Sequence, residues 1–156
     1  MQVVADFKHH FYATRGYKAI PTSVVSDGGK RKFSYTAIDH GLTEQHWTNH
    51  FKTEIGLTPS PMVNGNECCW GGIDIDSYGL TLEQKKIIIA KGKELGLVAA
   101  ESKSGGLHLY CFANSEVQAR NMRAYLINCL DKLKLPRNTE IFPKQDSIEE
   151  GKLGNG

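Results

Sequence analysis

The chain has 156 residues, of which 40% are apolar and 23% charged, and its net charge is +2. That size and balance fit one globular domain with a real core and are too small for two full ones. The weak basic excess permits a nucleic-acid partner without requiring one, so function has to be sought in particular residues.

No apolar run approaches the length of a membrane span, and the opening stretch "MQVVADFKHHFYATRG" lacks the basic-then-apolar layout of a secretion signal. The expectation is a cytoplasmic protein with no membrane partner. The four cysteines, Cys68, Cys69, Cys111 and Cys129, form no CxxC pair. They indicate neither a zinc site nor a disulfide framework and read as small buried apolar residues.

In chain order, Val3, Val4, Phe7 and Phe11 recur at helical spacing before Gly16, which predicts a first helix. "YKAIPTSV" follows as a short strand, then "SDGGKRK" at 26–32 as a Gly-rich basic loop. Lys30, Arg31 and Lys32 could touch phosphates, but such a run is more often solvated. "TEQHWTNHFKT" over 43–53 reads as a second helix, followed by the extended "EIGLTPSP". His46 and His50 are spaced for a metal on that helix, yet no third ligand or HExxH accompanies them, which leaves a metal role a minor alternative. His9 and His10 are assigned nothing.

From Cys68 the pattern becomes regular. Residues 68–75 predict a strand, and 81–95 a helix opened by Thr81 with Gln84 three residues on, a capping-box spacing, and closed by Gly96. "LVAAES" is a strand, "LHLYCFA" another after the tight "KSGG" turn, and Ser115 with Gln118 repeats the capping signal for a helix to about Lys134. Pro136 separates that helix from a last strand, "TEIF". The order strand, helix, strand, strand, helix, strand is the split βαβ, ferredoxin-like unit found in RNA-recognition modules.

In that topology the first and third strands are central neighbours, and the fourth lies beside the first. Strand parity then sends Ile73, Ile75, Leu107, Leu109 and Ile141 to the helix-covered face. The opposite face receives Asp74, Asp76, His108, Tyr110, Glu140 and Phe142. A turn-capping Asp76 alone does not explain three carboxylates and a histidine converging there.

Carboxylates held side by side repel unless something positive joins them. Mg²⁺ or Mn²⁺ takes oxygen ligands and completes its shell with substrate phosphates, and two such ions can serve an in-line phosphoryl displacement. Asp74 and Asp76 fit that task, with Glu140 as third ligand. In "ESKSGGLHLY", Gly105 and Gly106 let the backbone approach a ligand, Ser104 can donate to phosphate oxygens, and Lys103 and His108 can neutralise charge. The plain alternative for this segment is an ordinary hairpin turn.

The motifs "DID" at 74–76, "SGGLH" at 104–108 and the acid in "TEIFPKQ" at 139–145 together resemble the catalytic domain of archaeo-eukaryotic primases, the prim-pol superfamily. The likeness is nearest to the primase domain of TOTE conflict systems and mobile-element relatives, and it spans roughly residues 46 to 155. It implies an α+β fold: a small N-terminal α/β unit (1–66), an RRM-like βαββαβ catalytic palm (67–146) and, because relatives continue past "GKLGNG", an incomplete C-terminal segment (147–156). It also implies a nucleotidyltransferase, a DNA primase or primase-polymerase of a prokaryotic, viral or plasmid context. Asp74, Asp76 and Glu140 would hold Mg²⁺ or Mn²⁺, with Asp146 the alternative third acid. Lys103, Ser104, Gly105, Gly106 and His108 would bind the triphosphate, and Lys144, Gln145 and Asn155 would lie near nucleotide or template. The implied partners are (d)NTPs, a single-stranded DNA template with its primer, and a helicase or initiator protein.

Two other readings stay open. Carboxylate-bound metals also serve nucleases, though the "SGGLH" turn favours a triphosphate. A rolling-circle nickase needs a His-hydrophobic-His pair, and residue 106 is Gly. The non-enzymatic reading is a single-strand-binding module with Tyr110 and Phe142 stacking on bases.

Overall fold

Nine residues from Glu67 to Ile75 form the strand around which the protein is organised. In the computed structural model, which describes residues 2–13, 16–25, 31–38, 40–76, 79–102 and 105–149, the elements follow in this order. Helix α1 (Gln2–His10) precedes strands β1 (Gly16–Val25) and β2 (Arg31–Ile38), helix α2 (Glu44–Phe51), and strands β3 (Gly56–Pro59), β4 (Met62–Asn64) and β5 (Glu67–Ile75). Helix α3 (Leu82–Glu94), strands β6 (Val98–Glu101) and β7 (Leu107–Gln118), helix α4 (Ala119–Leu133) and strand β8 (Glu140–Phe142) complete it.

Two antiparallel sheets result, one ordered β2-β1-β3 and the other β4-β5-β7-β6 with β8 also paired to β5. Because β7 runs along one edge of β5 from Glu67 to Ile75, β4 and β8 share the other edge, β4 near Cys68 and β8 at Gly72–Asp74. The fold is therefore α+β, with an RRM-like unit in which β8, β5, β7 and β6 stand side by side. No helix among the described residues is long and apolar enough to cross a membrane.

Alternation along the strands decides which face the helices cover. Ile73, Ile75, Leu107, Leu109 and Ile141 all enter one core with Ile88 of α3 and with Met122, Leu126, Cys129, Leu130 and Leu133 of α4, spaced three or four apart. Leu107 and Leu109 are fully buried, and burial of such a side chain contributes about 2 kcal/mol. Cys68 joins this core although its parity matches Trp70 and Asp74, because the β5–β7 register shifts between Cys68 and Trp70. All four cysteines are free thiols. A second cluster, Ala13, Ile38, Leu42 and Trp47, holds the N-terminal elements together.

Helix α3 begins as its sequence predicts: the Thr81 hydroxyl accepts from the Gln84 amide N–H, and the Gln84 side chain accepts from the Thr81 N–H. The capping signal at Ser115 and Gln118 is overturned. Strand β7 runs on through both residues to pair Val117 with Cys68 and Gln118 with Glu67, and α4 starts four residues later at Ala119. Gln118 makes no side-chain cap; its amide oxygen accepts from Asn66 Nδ2 at 3.1 Å, so cross-strand pairing wins over capping. Arg31 and Lys32 likewise open β2 rather than close a loop, while residues 26–30 lie outside the described residues.

Candidate active site

Direct cross-strand partners share a face, with Cβ atoms about 4.5–5.5 Å apart. The register makes Glu140 of β8 and His108 of β7 both partners of Asp74, so acid, acid and imidazole form one row across three strands. The next row is Phe142, Gly72 and Tyr110. Asp76 lies one residue beyond the end of β5 and is exposed.

His108 Nε2 stands 3.3 Å from Asp74 Oδ1, and the Tyr110 hydroxyl lies 3.1 Å from His108 Nδ1. In a neutral ring with its proton on Nε2, Nδ1 accepts from the tyrosine, which fixes the ring plane. Burial pushes the Asp74 carboxyl above the usual carboxylate range; His108 pulls it down, Asp76 and Glu140 push it up, and Lys144 pulls it down. Burial, then the charge of Asp74, raises the Tyr110 phenol as well.

Asp74 Oδ1 is buried and, among the described residues, has no hydrogen-bond partner, His108 Nε2 at 3.3 Å not being aligned for one. A buried carboxylate oxygen without a donor suits a cation. No group of three or more His, Cys, Asp or Glu side chains among the described residues is arranged to hold a metal ion. The Glu140 carboxylate is paired with Lys144 Nζ at 3.2 Å. Asp74 and Asp76 fit a divalent cation that completes its shell with phosphate oxygens and water.

Asp146, the alternative third acid, is held by Arg123 of α4 at 2.8 Å, and the same guanidinium donates to the Pro143 carbonyl at 2.8 Å. The register places Glu140, and not Asp146, beside Asp74. Arg123 carries no sequence signal, since a lone Arg on an amphipathic helix looks like any solvated residue. Gln145 is half-buried in the segment after β8. Lys103, Ser104 and Asn155 lie outside the described residues.

The two turn glycines differ. Gly105 is exposed, with φ +86° and nothing within 4 Å of where a Cβ would stand. Gly106 is buried, and a Cβ there would lie 2.2 Å from the Ile75 carbonyl oxygen. Its lack of a side chain thus lets the turn pack against the protein's own strand. Ser102, which the sequence does not single out, organises the turn: its hydroxyl accepts from the Gly106 N–H at 2.9 Å and its carbonyl from the Gly105 N–H at 3.0 Å.

Beside the acid row lies a cleft of about 390 Å³, floored by Gly72, Asp74, His108 and Tyr110 and walled by Phe142, Phe11 and the β3 residues Leu57–Pro59. Phe11 follows α1 and packs edge-on to Tyr110 at 4.9 Å and to Trp70 at 5.2 Å, while Trp70 Nε1 donates to the Tyr12 carbonyl at 3.1 Å. N-terminal residues therefore cover part of the sheet face that sequence parity leaves open. A wider cavity of about 640 Å³ between α1 and α2 shares Phe11 with this cleft but not the paired acids. The histidines of α2 serve local structure: His46 Nδ1 accepts from the Thr43 N–H in a capping box, and His50 Nδ1 lies 3.1 Å from the Ile55 carbonyl.

Among curated proteins, none matches the sequence. A family model described as "TOTE conflict system, Archaeo-Eukaryotic Primase domain" matches residues 18–156, which takes in every described residue of both sheets except Gly16 and Tyr17.

Proposed function

Because the chain belongs to the archaeo-eukaryotic primase domain family of TOTE conflict systems, we propose that it transfers nucleotides to a 3′-hydroxyl on a single-stranded DNA template, as a primase or primase-polymerase. The observation that carries this reading is the row Glu140–Asp74–His108 bordering a cleft of about 390 Å³. In such a transfer the 3′-oxygen bonds to the α-phosphorus, the bond from that phosphorus to the β-phosphate bridge breaks, and pyrophosphate and a proton leave.

Asp74 and Asp76 would hold Mg²⁺ or Mn²⁺, with Glu140 as a further ligand. When bound, the cation neutralises charge on the triphosphate and lowers the pKa of the attacking hydroxyl. His108, oriented by Tyr110, donates through Nε2 to a phosphate oxygen, and Lys144 adds positive charge. The notch over Gly72, between Phe142 and Tyr110, takes the sugar of the incoming nucleotide. Catalysis on this account is positioning and charge neutralisation.

The binding-module alternative is disfavoured by the aromatic geometry. Tyr110 is packed against Phe11 and the ring of Phe142 carries Lys144 Nζ 4.9 Å from its centroid, so both rings are already partnered within the protein. The test is extension of an end-labelled primer annealed to a longer template, with Mn²⁺ and dNTPs or NTPs, by the wild type and by Asp74→Asn and Asp76→Asn. Extension by the wild type alone supports the assignment. Metal-dependent shortening of the primer would replace it with a nuclease.

A further inference from the structure

Glu140 stands directly beside Asp74 on the neighbouring strand, yet the two carboxylates and Asp76 do not form a ready metal site. The backbone brings Glu140 to the row, and its carboxylate meets a lysine there. Lys144 follows Glu140 by four residues across the turn after β8, and its ammonium meets Glu140 Oε1 at 3.2 Å. Phe142 supports the ammonium from below, 4.9 Å from ring centroid to Nζ. Arg123 clamps the backbone of this turn through Pro143 and Asp146, so the segment is anchored while the Lys144 side chain stays about two-fifths exposed.

We propose that Lys144 is an internal stand-in for the metal: its ammonium holds Glu140 in the unloaded site and releases it to the cation when a triphosphate draws the lysine away. This inference rests on the metal-dependent reading of Asp74 and Asp76 given above. An ammonium and a divalent cation compete for one carboxylate, and a triphosphate is the ligand that satisfies both, since it binds lysine through one oxygen and metal through others. Metal and nucleotide consequently strengthen each other's binding, and the two couplings are equal. The loaded site forms only when substrate is present. Lys144's field also reaches Asp74, where it opposes the upward pressure of the other acids on that carboxyl.

The test is direct titration of the purified protein with Mn²⁺, free Mn²⁺ being counted by electron paramagnetic resonance, with and without dTTP. Without nucleotide, Lys144→Met should bind Mn²⁺ about twofold to fivefold tighter than wild type, the range expected for releasing a partly exposed ion pair. Glu140→Gln should change wild-type affinity little and should erase the gain when combined with Lys144→Met. Adding dTTP should tighten Mn²⁺ binding to wild type more than to Lys144→Met. If Lys144→Met binds no tighter, or binds tighter by the same factor with Gln at position 140, the lysine acts at a distance or not at all and the inference falls. Asp74→Asn separates the two failures: if it leaves Mn²⁺ affinity unchanged, the metal reading itself is wrong. Circular dichroism of each variant excludes unfolding as the source of any loss.

Discussion

Replacing Gly106 by Ala places a methyl group where the strand before it already stands. The added Cβ would lie 2.2 Å from the Ile75 carbonyl oxygen, 3.3 Å from its carbon and 3.1 Å from Ser102 Oγ. Relief requires the backbone of β5 or of the turn to move by about 1 Å, because non-bonded carbon–oxygen contacts settle near 3.3 Å. Neither side is a flexible side-chain end, since β5 is held on both edges and Gly106 N–H is bonded to Ser102. Overpacking of this kind costs about 1–3 kcal/mol, and loss of one hydrogen bond adds about 1 kcal/mol, so a total near 3 kcal/mol is expected. In a domain of this length that lowers Tm by about 6–12 °C. Asp76 adjoins Ile75, so nucleotide incorporation below the melting range should also fall, by about a hundredfold for a 1 Å misplacement. Thermal unfolding by circular dichroism, alongside primer extension at 20 °C, measures both. Gly105→Asn is the control: its Cβ meets nothing, Asn tolerates a positive φ, and a cost of about 1 kcal/mol or less is expected. Should Gly106→Ala melt within 2 °C of wild type, the close approach of the turn to β5 would be refuted.

Asp74→Asn should raise stability while abolishing activity. The folded carboxyl titrates above its ordinary value, so ionisation costs stability; the cost is absent below the unfolded pKa of about 4 and complete above the folded one. The Tm of the variant should therefore exceed wild type at pH 7, with the gap closing as pH falls toward 4. A variant less stable than wild type at pH 7 would contradict this. Gly72→Ala should leave Tm within about 1 °C, because its Cβ would meet Tyr110 at an ordinary 3.4 Å, yet should raise the KM for nucleotide severalfold by filling the notch; an unchanged KM would move the sugar elsewhere. Arg123→Met should lower stability by about 1–2 kcal/mol through loss of a charge-assisted bond to the Pro143 carbonyl and of the Asp146 pair, as read by urea unfolding. Mn²⁺ with dTTP should raise Tm by mass action and EDTA should reverse it; no shift at saturating ligand would argue against binding to the folded state.

Much of the palm was legible because its signals are local and periodic. Thr81 and Gln84 predict the start of α3, and the alternation in "IDI" and "LHLY" predicts which residues face the helices. Parity also predicts that Asp74, His108 and Glu140 share a face, since side-chain period and strand order together leave one arrangement. Other features depend on partners far away in sequence. The four-residue extension of β7 past Asn114 arises from pairing with Glu67 and Cys68, which outweighs a good capping signal at Ser115. The alternating "KFSYTAI" of β2 has a strand's period but adjoins a basic run that reads as a loop. Docking of Phe11 over Tyr110 and the Arg123 clamp on Asp146 are tertiary contacts with no periodic trace. Gly106 shows the limit most clearly: nothing local in "SGGLH" foretells that this glycine packs against the Ile75 carbonyl.

The most direct measurement is anomalous X-ray scattering from a crystal grown with Mn²⁺ and a non-hydrolysable deoxynucleoside triphosphate. The account predicts a manganese peak bridging Asp74 and Asp76, with Glu140 turned from Lys144 toward it, the triphosphate against His108 and the sugar over Gly72. A peak away from these aspartates, or a nucleotide seated in the cavity between α1 and α2, would contradict it.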